Sequence, residues 1–247
     1  MAEVIERSAQ GLLEAEVVRV EGGGARVAGA HLRMGPPADA VLDVAEEVGA
    51  GLILMGGRGH GPIERLLLGS VAMNVVHHAH CPVLVLRGGD GAWPPARVIV
   101  GEDGSEPSRA AGELAALIGG LFGASGLLVR SYPELPEVDP KGRASDARTV
   151  DDELRREERA LEARAAEMEA ATGVRPRVRI AVGDAAANLL EAAGEGVPEK
   201  TLVAVGSRGL GSLGRARLGS VSTNVLRAAR GPVFVHPMPH QTDEGAA

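Results

Sequence analysis

A glycine-rich segment near the end of the chain has the residue types and the spacing of a phosphate-binding loop. Residues 206–209 read Gly-Ser-Arg-Gly and, after nine further residues, 219–222 read Gly-Ser-Val-Ser. Gly206, Gly209 and Gly219 can take positive φ angles, and they leave no side chain between the backbone and a ligand. The amides at a helix start, together with the helix dipole, favour an anion. The segment therefore predicts a site for phosphate groups.

The elements on either side are predicted to position this loop. Residues 201–205 are short, apolar and partly β-branched, which is typical of a buried strand. Residues 220–229 read as a helix, and Ser220 is expected to cap it. A strand would thus deliver the loop to the N-terminus of a helix.

The same spacing occurs a second time, 150 positions upstream. The matching residues are Gly56, Gly59, Gly69, Ser70 and Val71. A Pro-Val pair follows at the same offset in both places, at residues 82 and 232. An internal duplication is the simplest explanation. Two copies at one offset are a much stronger indication of function than one glycine loop would be.

The repeated pattern, G-x2-G-x9-G-[ST], resembles the universal stress protein family in its ATP-binding branch, and the resemblance covers nearly the whole chain. It implies that one group of residues lines the entry to the ATP phosphates and that another group binds the phosphates. The first group is Val205, Gly206, Arg208 and Gly209, and the second is Gly219, Ser220, Val221 and Ser222. Mg²⁺ would bridge the phosphates.

The resemblance also assigns the nucleoside end of the site. Asp103, in the segment VGEDGS with Gly101 and Ser105, matches the aspartate that contacts the nucleoside in the family. Alternatively, Asp103 only starts a turn or caps a helix. Arg130 stands where the family has a small apolar residue whose backbone meets the base, which leaves the adenine geometry open. Arg208 would neutralise phosphate charge or simply be solvated.

Other sequence patterns argue against competing kinds of site. Residues 209–214 read G-x-G-x-x-G, but no helix is predicted to start within them and the acidic residue of a dinucleotide-binding fold does not follow. The sequence also contains no P-loop pattern. His77, His78, His80 and Cys81 resemble a metal cluster. Their duplicates are Arg227, Ala228, Arg230 and Gly231, which favours charge at a helix C-terminus over metal ligation.

Composition excludes several functional classes. A net charge of −7 and 2% aromatic residues provide neither a basic footprint nor stacking platforms for nucleic acid. A single cysteine, Cys81, suits a reducing cytosol, and we expect a cytoplasmic protein without a membrane span or signal peptide.

The alternation of strands and helices predicts an α/β fold with a doubly wound, parallel, five-stranded sheet, which the resemblance describes as adenine nucleotide α-hydrolase-like. Two domains are expected, an incomplete one at 1–88 and a complete one at 96–238, separated by a turn-rich segment. In the first copy, helices are expected at 1–15, from residue 37 and at 70–79, with strands at 25–32, 52–55 and 83–86.

The first copy lacks a β-α-β unit. Aligning Gly35 with Gly183 places Met1 opposite Thr149, so nothing matches residues 97–148. Either the true start lies upstream, or the second copy and a partner chain cover the gap. We expect this degenerate site to bind nucleotide weakly or not at all.

The predicted function is that of an ATP-binding, nucleotide-dependent stress sensor or regulator. Positioned phosphates alone supply neither a base nor a transition-state clamp, so at most slow ATP hydrolysis is expected. The alternatives are a nucleotide-free interaction module with a vestigial glycine loop, and a nucleotidyl-transferring enzyme. The resemblance to the universal stress protein family implies pairing through the strand at 233–236, either in a homodimer or between the two domains of one chain.

Overall fold

The computed structural model describes residues 2–57, 68–89, 91–133, 147–209 and 218–238. The chain divides into two compact units, Met1–Gly49 and Ala50–Ala247. No helix within the described ranges combines the length and the apolar character needed to cross a bilayer.

The first unit contains two helices, α1 (Ala2–Gly22) and α2 (Pro37–Glu47). Helix α1 continues well beyond its predicted end, and a proline begins α2, where the missing N–H costs nothing. The predicted strand at 25–32 is wrong, because these residues are irregular. A strand needs a neighbour to satisfy its backbone, and the described part of this unit offers none.

The described part of the second unit alternates strands and helices, except that its second strand is followed by its third with no helix between them. Its elements are β1 (Ile53–Gly56), α3 (Ser70–His78), β2 (Val83–Leu86), β3 (Arg97–Gly101), α4 (Glu106–Gly120), β4 (Ser125–Tyr132), α5 (Ala147–Thr172), β5 (Arg177–Val182), α6 (Ala185–Gly194), a 3-10 turn (Pro198–Lys200), β6 (Thr201–Gly206), α7 (Ser220–Ala228) and β7 (Val233–His236). The elements β1, α3, β2, β6, α7 and β7 lie where the sequence predicted strands and helices, with ends that differ by at most one residue.

One seven-stranded sheet runs through this unit in the order β1-β2-β7-β6-β3-β4-β5. The five strands β7, β6, β3, β4 and β5 are parallel, which confirms the predicted doubly wound sheet. Strands β1 and β2 of the first copy extend it, because β2 pairs antiparallel with β7 and places Leu84 opposite Phe234. Since β6 lies on its other side, β7 has no free edge for a second chain.

Helices cover both faces of the sheet. Successive residues of a strand face opposite sides. In β3, Val100 lies against Gly112 of α4, whereas the next residue, Gly101, lies against Leu189 of α6. The core between α4, α5 and the sheet contains the buried side chains of Leu128, Leu161, Met168 and Phe234, among others.

Candidate functional site

A cavity of about 760 Å³ opens at the carboxyl ends of β3, β4 and β6, where parallel α/β sheets bind their ligands. Several loops and helix starts contribute to its wall. The lining residues are Gly101, Glu102, Asp103, Ser108, Val129, Ser131, Pro133, Ala185, Leu189, Val205, Gly206, Arg208, Gly209, Gly219, Ser220, Val221 and Ser222. Of the residues predicted for the site, only Ser105 and Arg130 are absent from this lining.

The glycine loop is held by backbone hydrogen bonds at the end of β6. The Ser207 N–H donates to the His236 carbonyl over 2.7 Å, and the Gly219 N–H donates to the Ser207 carbonyl over 2.6 Å. Helix α7 begins at Ser220, and its N-cap is Gly219, which offers no side chain. The prediction that Ser220 caps the helix is therefore wrong. Instead Ser220 is exposed at the cavity, beside the uncapped first amides of α7.

The loop glycines do not adopt the positive φ that glycine allows. Gly206, Gly209 and Gly219 all lie outside that region. Glycine is needed for space, because a Cβ at residue 206 would lie 2.8 Å from the Ser108 nitrogen. At residue 209 a Cβ would overlap the carboxylate of Asp103. The loop thus packs directly onto the turn that carries Asp103.

Replacing Gly206 with alanine is expected to lower the free energy of unfolding by about 1 to 3 kcal/mol, because the new methyl group is forced against the first turn of α4. Its Cβ would meet both Pro107 Cβ and the Ser108 nitrogen at 2.8 Å. Urea unfolding followed by circular dichroism measures the change. Gly194→Ala is the control, since no described atom lies within 4 Å of its Cβ. Equal effects of the two variants would contradict the packing argument.

Asp103 occupies a tight turn between β3 and α4. Its Oδ1 accepts the Ser105 N–H over 2.9 Å, and Gly104 has a φ of +85°. Ser105 caps α4 by accepting the Ser108 N–H over 3.3 Å, and its hydroxyl donates to the Arg208 carbonyl over 3.4 Å. Asp103 therefore shapes the turn and also lines the cavity, whereas Ser105 ties the turn to the glycine loop.

The hydroxyl of Ser222 is used inside the protein. It is 3% exposed and donates to the Gly206 carbonyl over 2.6 Å. Since a serine has one hydroxyl proton, this side chain stabilises the loop and cannot at the same time donate to a phosphate. Val205 and Val221 add apolar surface to the same wall.

The side chain of Arg130 points away from the cavity. Its Nε donates to the Glu102 carbonyl over 3.1 Å, and its Nη1 pairs with Glu157 of α5 over 2.7 Å. Because strand residues alternate between faces, its neighbours Val129 and Ser131 line the cavity instead. The arginine therefore leaves this wall of the cavity unobstructed.

The residues that sequence reasoning missed are Glu102, Ser108, Val129, Ser131, Pro133, Ala185 and Leu189. Because successive residues of a strand face opposite sides of the sheet, the position of Arg130 in β4 could have indicated that Val129 and Ser131 share the other side. Ala185 and Leu189 lie on α6, and only the packing of that helix on the sheet brings them to the cavity.

Glu102 is a buried carboxylate in the cavity wall, and only 2% of the residue is exposed. Its Oε1 accepts the Gly104 N–H over 2.7 Å and the Ser108 hydroxyl over 3.1 Å. Its Oε2 accepts from Arg164 Nε of α5 over 3.4 Å. Burial lowers the pKa of Arg164, but hydrogen bonds and charge from Glu113 and Glu102 outweigh it and raise that pKa above its usual value. The guanidinium therefore stays charged.

The first copy repeats the framework of the loop. The Gly69 N–H donates to the Gly57 carbonyl over 2.8 Å, and Gly69 is likewise the N-cap of α3, next to Ser70 and Val71. Gly56 ends β1, which lies at the edge of the sheet, so among the described strands nothing takes the place that β3 has beside β6. Gly59 and Arg58 lie outside the described residues.

The described ranges contain no group of three or more His, Cys, Asp or Glu side chains that could hold a metal ion. Cys81 is buried, and burial raises the pKa of its thiol. Burial and the neighbouring charges of His78 and Arg227 lower the pKa of His77.

Comparison with known proteins identifies the family. The model of the universal stress protein family matches residues 1–87 and 96–237. A universal stress protein of Mycobacterium tuberculosis is 34% identical over 202 residues, which are 81% of this chain and 65% of that protein, and one of Mycobacterium bovis matches equally. The chain thus spans 65% of the length of these relatives.

Solved structures agree with the fold. A universal stress protein from Archaeoglobus fulgidus is 24% identical, with a TM-score of 0.66 over 95% of this chain and 79% of its own. A shorter universal stress protein in complex with cAMP is 26% identical, with a TM-score of 0.44 over 59% of this chain and 97% of its own. On the family match and the 34% identity to mycobacterial relatives, this chain belongs to the universal stress protein family.

Proposed function

We propose that residues 96–238 bind ATP in the cavity described above and that the chain acts as a nucleotide-dependent sensor or regulator in a stress response. The observation that carries the proposal is the cavity itself, in which an apolar wall and the uncapped start of a helix face one space. Its volume of about 760 Å³ is within the range of sites that hold small ligands.

The order of the strands supports one orientation of the nucleotide. The cavity spans the ends of β4, β3 and β6, which are neighbours in the sheet. Adjacent strands lie about 4.8 Å apart, so the two ends of the cavity are separated by about 10 Å. We assign adenine to the end formed by Ser131, Ala185 and Leu189, and the phosphates to the start of α7. Asp103, which follows the central strand, would then meet the ribose.

The charges at the end of the cavity that is assigned to the phosphates fit this orientation. The N-terminus of α7 has no side-chain cap, and its dipole is favourable for an anion. Arg208 lines the same end of the cavity. Mg²⁺ would bridge the phosphates and offset their remaining charge. No histidine is among the described residues that line the cavity, and the Glu102 carboxylate already accepts hydrogen bonds from Gly104, Ser108 and Arg164, so we propose binding with at most slow hydrolysis.

Calorimetric titration of the intact chain with Mg-ATP tests the proposal. We expect one ATP per chain and a Kd that rises about 10- to 100-fold in Asp103→Ala, because a hydrogen bond to a charged group is lost. Asp103→Asn is the matched control for the turn, because its side-chain oxygen can still accept the Ser105 N–H.

No heat of binding from nucleotide-free protein would overturn the proposal and favour the interaction module. Equal Kd values for the intact chain and Asp103→Ala would be consistent with ATP binding but would show that Asp103 does not contribute to it.

A further inference from the structure

Helix α5 sends one charged side chain into the interior behind the cavity wall. Arg164 is 6% exposed, and it is not among the residues that line the cavity. Its guanidinium contacts Glu113 over 2.8 Å, Glu167 over 3.2 Å and the Arg109 carbonyl over 3.1 Å. Its Nε donates to Glu102 over 3.4 Å. Four separate acceptors therefore hold this arginine in one orientation.

Glu102 connects this arginine to the ligand-facing surface. It lines the cavity, immediately before Asp103, and its Oε1 holds the Gly104 N–H over 2.7 Å. The same oxygen lies 3.1 Å from the Ser108 hydroxyl, which is also 2.9 Å from the Ser105 carbonyl, so one carboxylate contacts both the turn that carries Asp103 and the first turn of α4. The position of Glu102 therefore determines the shape of the turn.

We propose that Arg164 is a positioning residue of the nucleotide site, which acts through Glu102 by neutralising its charge and holding the turn that carries Asp103. The inference rests on the proposed ATP function for its effect on affinity. The effect on the turn itself does not require a nucleotide.

The physical reason is the charge of the ligand. Two adjacent carboxylates, Glu102 and Asp103, line a cavity that is proposed to take a polyanion. A buried carboxylate without a partner is strongly unfavourable, and it would move toward the open cavity or repel the phosphates from its place in the wall. Arg130 lies 3.8 Å from Glu102 and is also paired with Glu157, so it compensates only in part.

A double-mutant cycle separates positioning from a general structural effect. Arg164→Met should raise the Kd for Mg-ATP about tenfold, because the Glu102 charge then keeps only its partial pairing with Arg130. Adding Glu102→Gln to that variant should restore most of the affinity, because that charge is gone while the amide oxygen can still accept the Gly104 N–H. Arg155→Met is the matched control on the same helix, where the Arg155 side chain is 68% exposed.

Hydrogen exchange of the nucleotide-free proteins provides the second readout. The peptide covering residues 102–108 should exchange about tenfold faster in Arg164→Met than in the wild type, and at the wild-type rate in Arg155→Met. If Arg164→Met does not fold, the double variant and Arg164→Lys carry the comparison, with a smaller change expected for lysine because it keeps the charge.

Unchanged affinity and exchange in folded Arg164→Met would overturn the inference. A double variant as weak as Arg164→Met would also overturn it, because that result indicates a structural role alone. If the wild type binds no ATP, the proposed function fails, and the exchange rates alone decide whether Arg164 positions the turn.

Discussion

Phe234→Ala is expected to lower the free energy of unfolding by about 4 kcal/mol, because it empties a large, fully enclosed space. Phe234 is 1% exposed and stands in β7, between Leu84 of β2 and Ala204 of β6. It is therefore the side chain through which the strands of the first copy share a core with those of the second. Urea unfolding followed by circular dichroism measures the loss.

The other phenylalanine of the chain is the control. Phe122 is 46% exposed and packs edge-to-face on Trp93, with 5.5 Å between ring centroids. Phe122→Ala should cost only about 1 kcal/mol, the usual value of such a pair. Similar losses for both variants would show that β7 is not a central element of the core.

Gly219→Glu is expected to raise the Kd for Mg-ATP by at least about 100-fold, which corresponds to roughly 2.7 kcal/mol. The new carboxylate would stand at the start of α7, where the phosphates are proposed to bind, and like charges in contact cost several kcal/mol. Folding should survive, because a negative charge at a helix N-terminus is favourable. Isothermal calorimetry measures the affinity, and a thermal melt checks the fold.

Gly69→Glu is the matched control for this substitution. Gly69 has nearly the same backbone conformation, with φ and ψ of −66° and 149° against −77° and 165° at Gly219, and it caps the equivalent helix of the first copy. We expect it to leave the affinity for ATP unchanged. A loss of binding in Gly69→Glu and not in Gly219→Glu would move the site to the first copy.

Sequence reasoning anticipated most of the site because its pattern is local. The glycine loop, the strand before it and the helix after it occupy consecutive residues, and the structure brings them to one cavity with Asp103. Asp103 follows β3, and parallel strands that end at one edge bring their following loops together. The binding role of these residues remains a prediction, to be decided by the titrations.

The incorrect expectations share one cause. Each attributed to the local sequence a feature that depends on contacts with distant parts of the chain. Positive φ explains many loop glycines, but at Gly206 the constraint is the proximity of α4. A serine before a helix is a common cap, yet here the helix begins one residue earlier than that role requires, with Gly219 as the cap. The apolar alternation at 25–32 predicted a strand, but a strand forms only beside a partner.

The duplicated loop, the order of strands and helices and the parallel sheet can all be predicted from the sequence, because periodicity and glycine spacing act over short distances. The pairing of β2 with β7 and the position of Arg164 behind Glu102 are seen only in the folded chain. These partners are far apart in the chain, and neither local propensity nor spacing encodes which distant charge or strand edge packing will bring together.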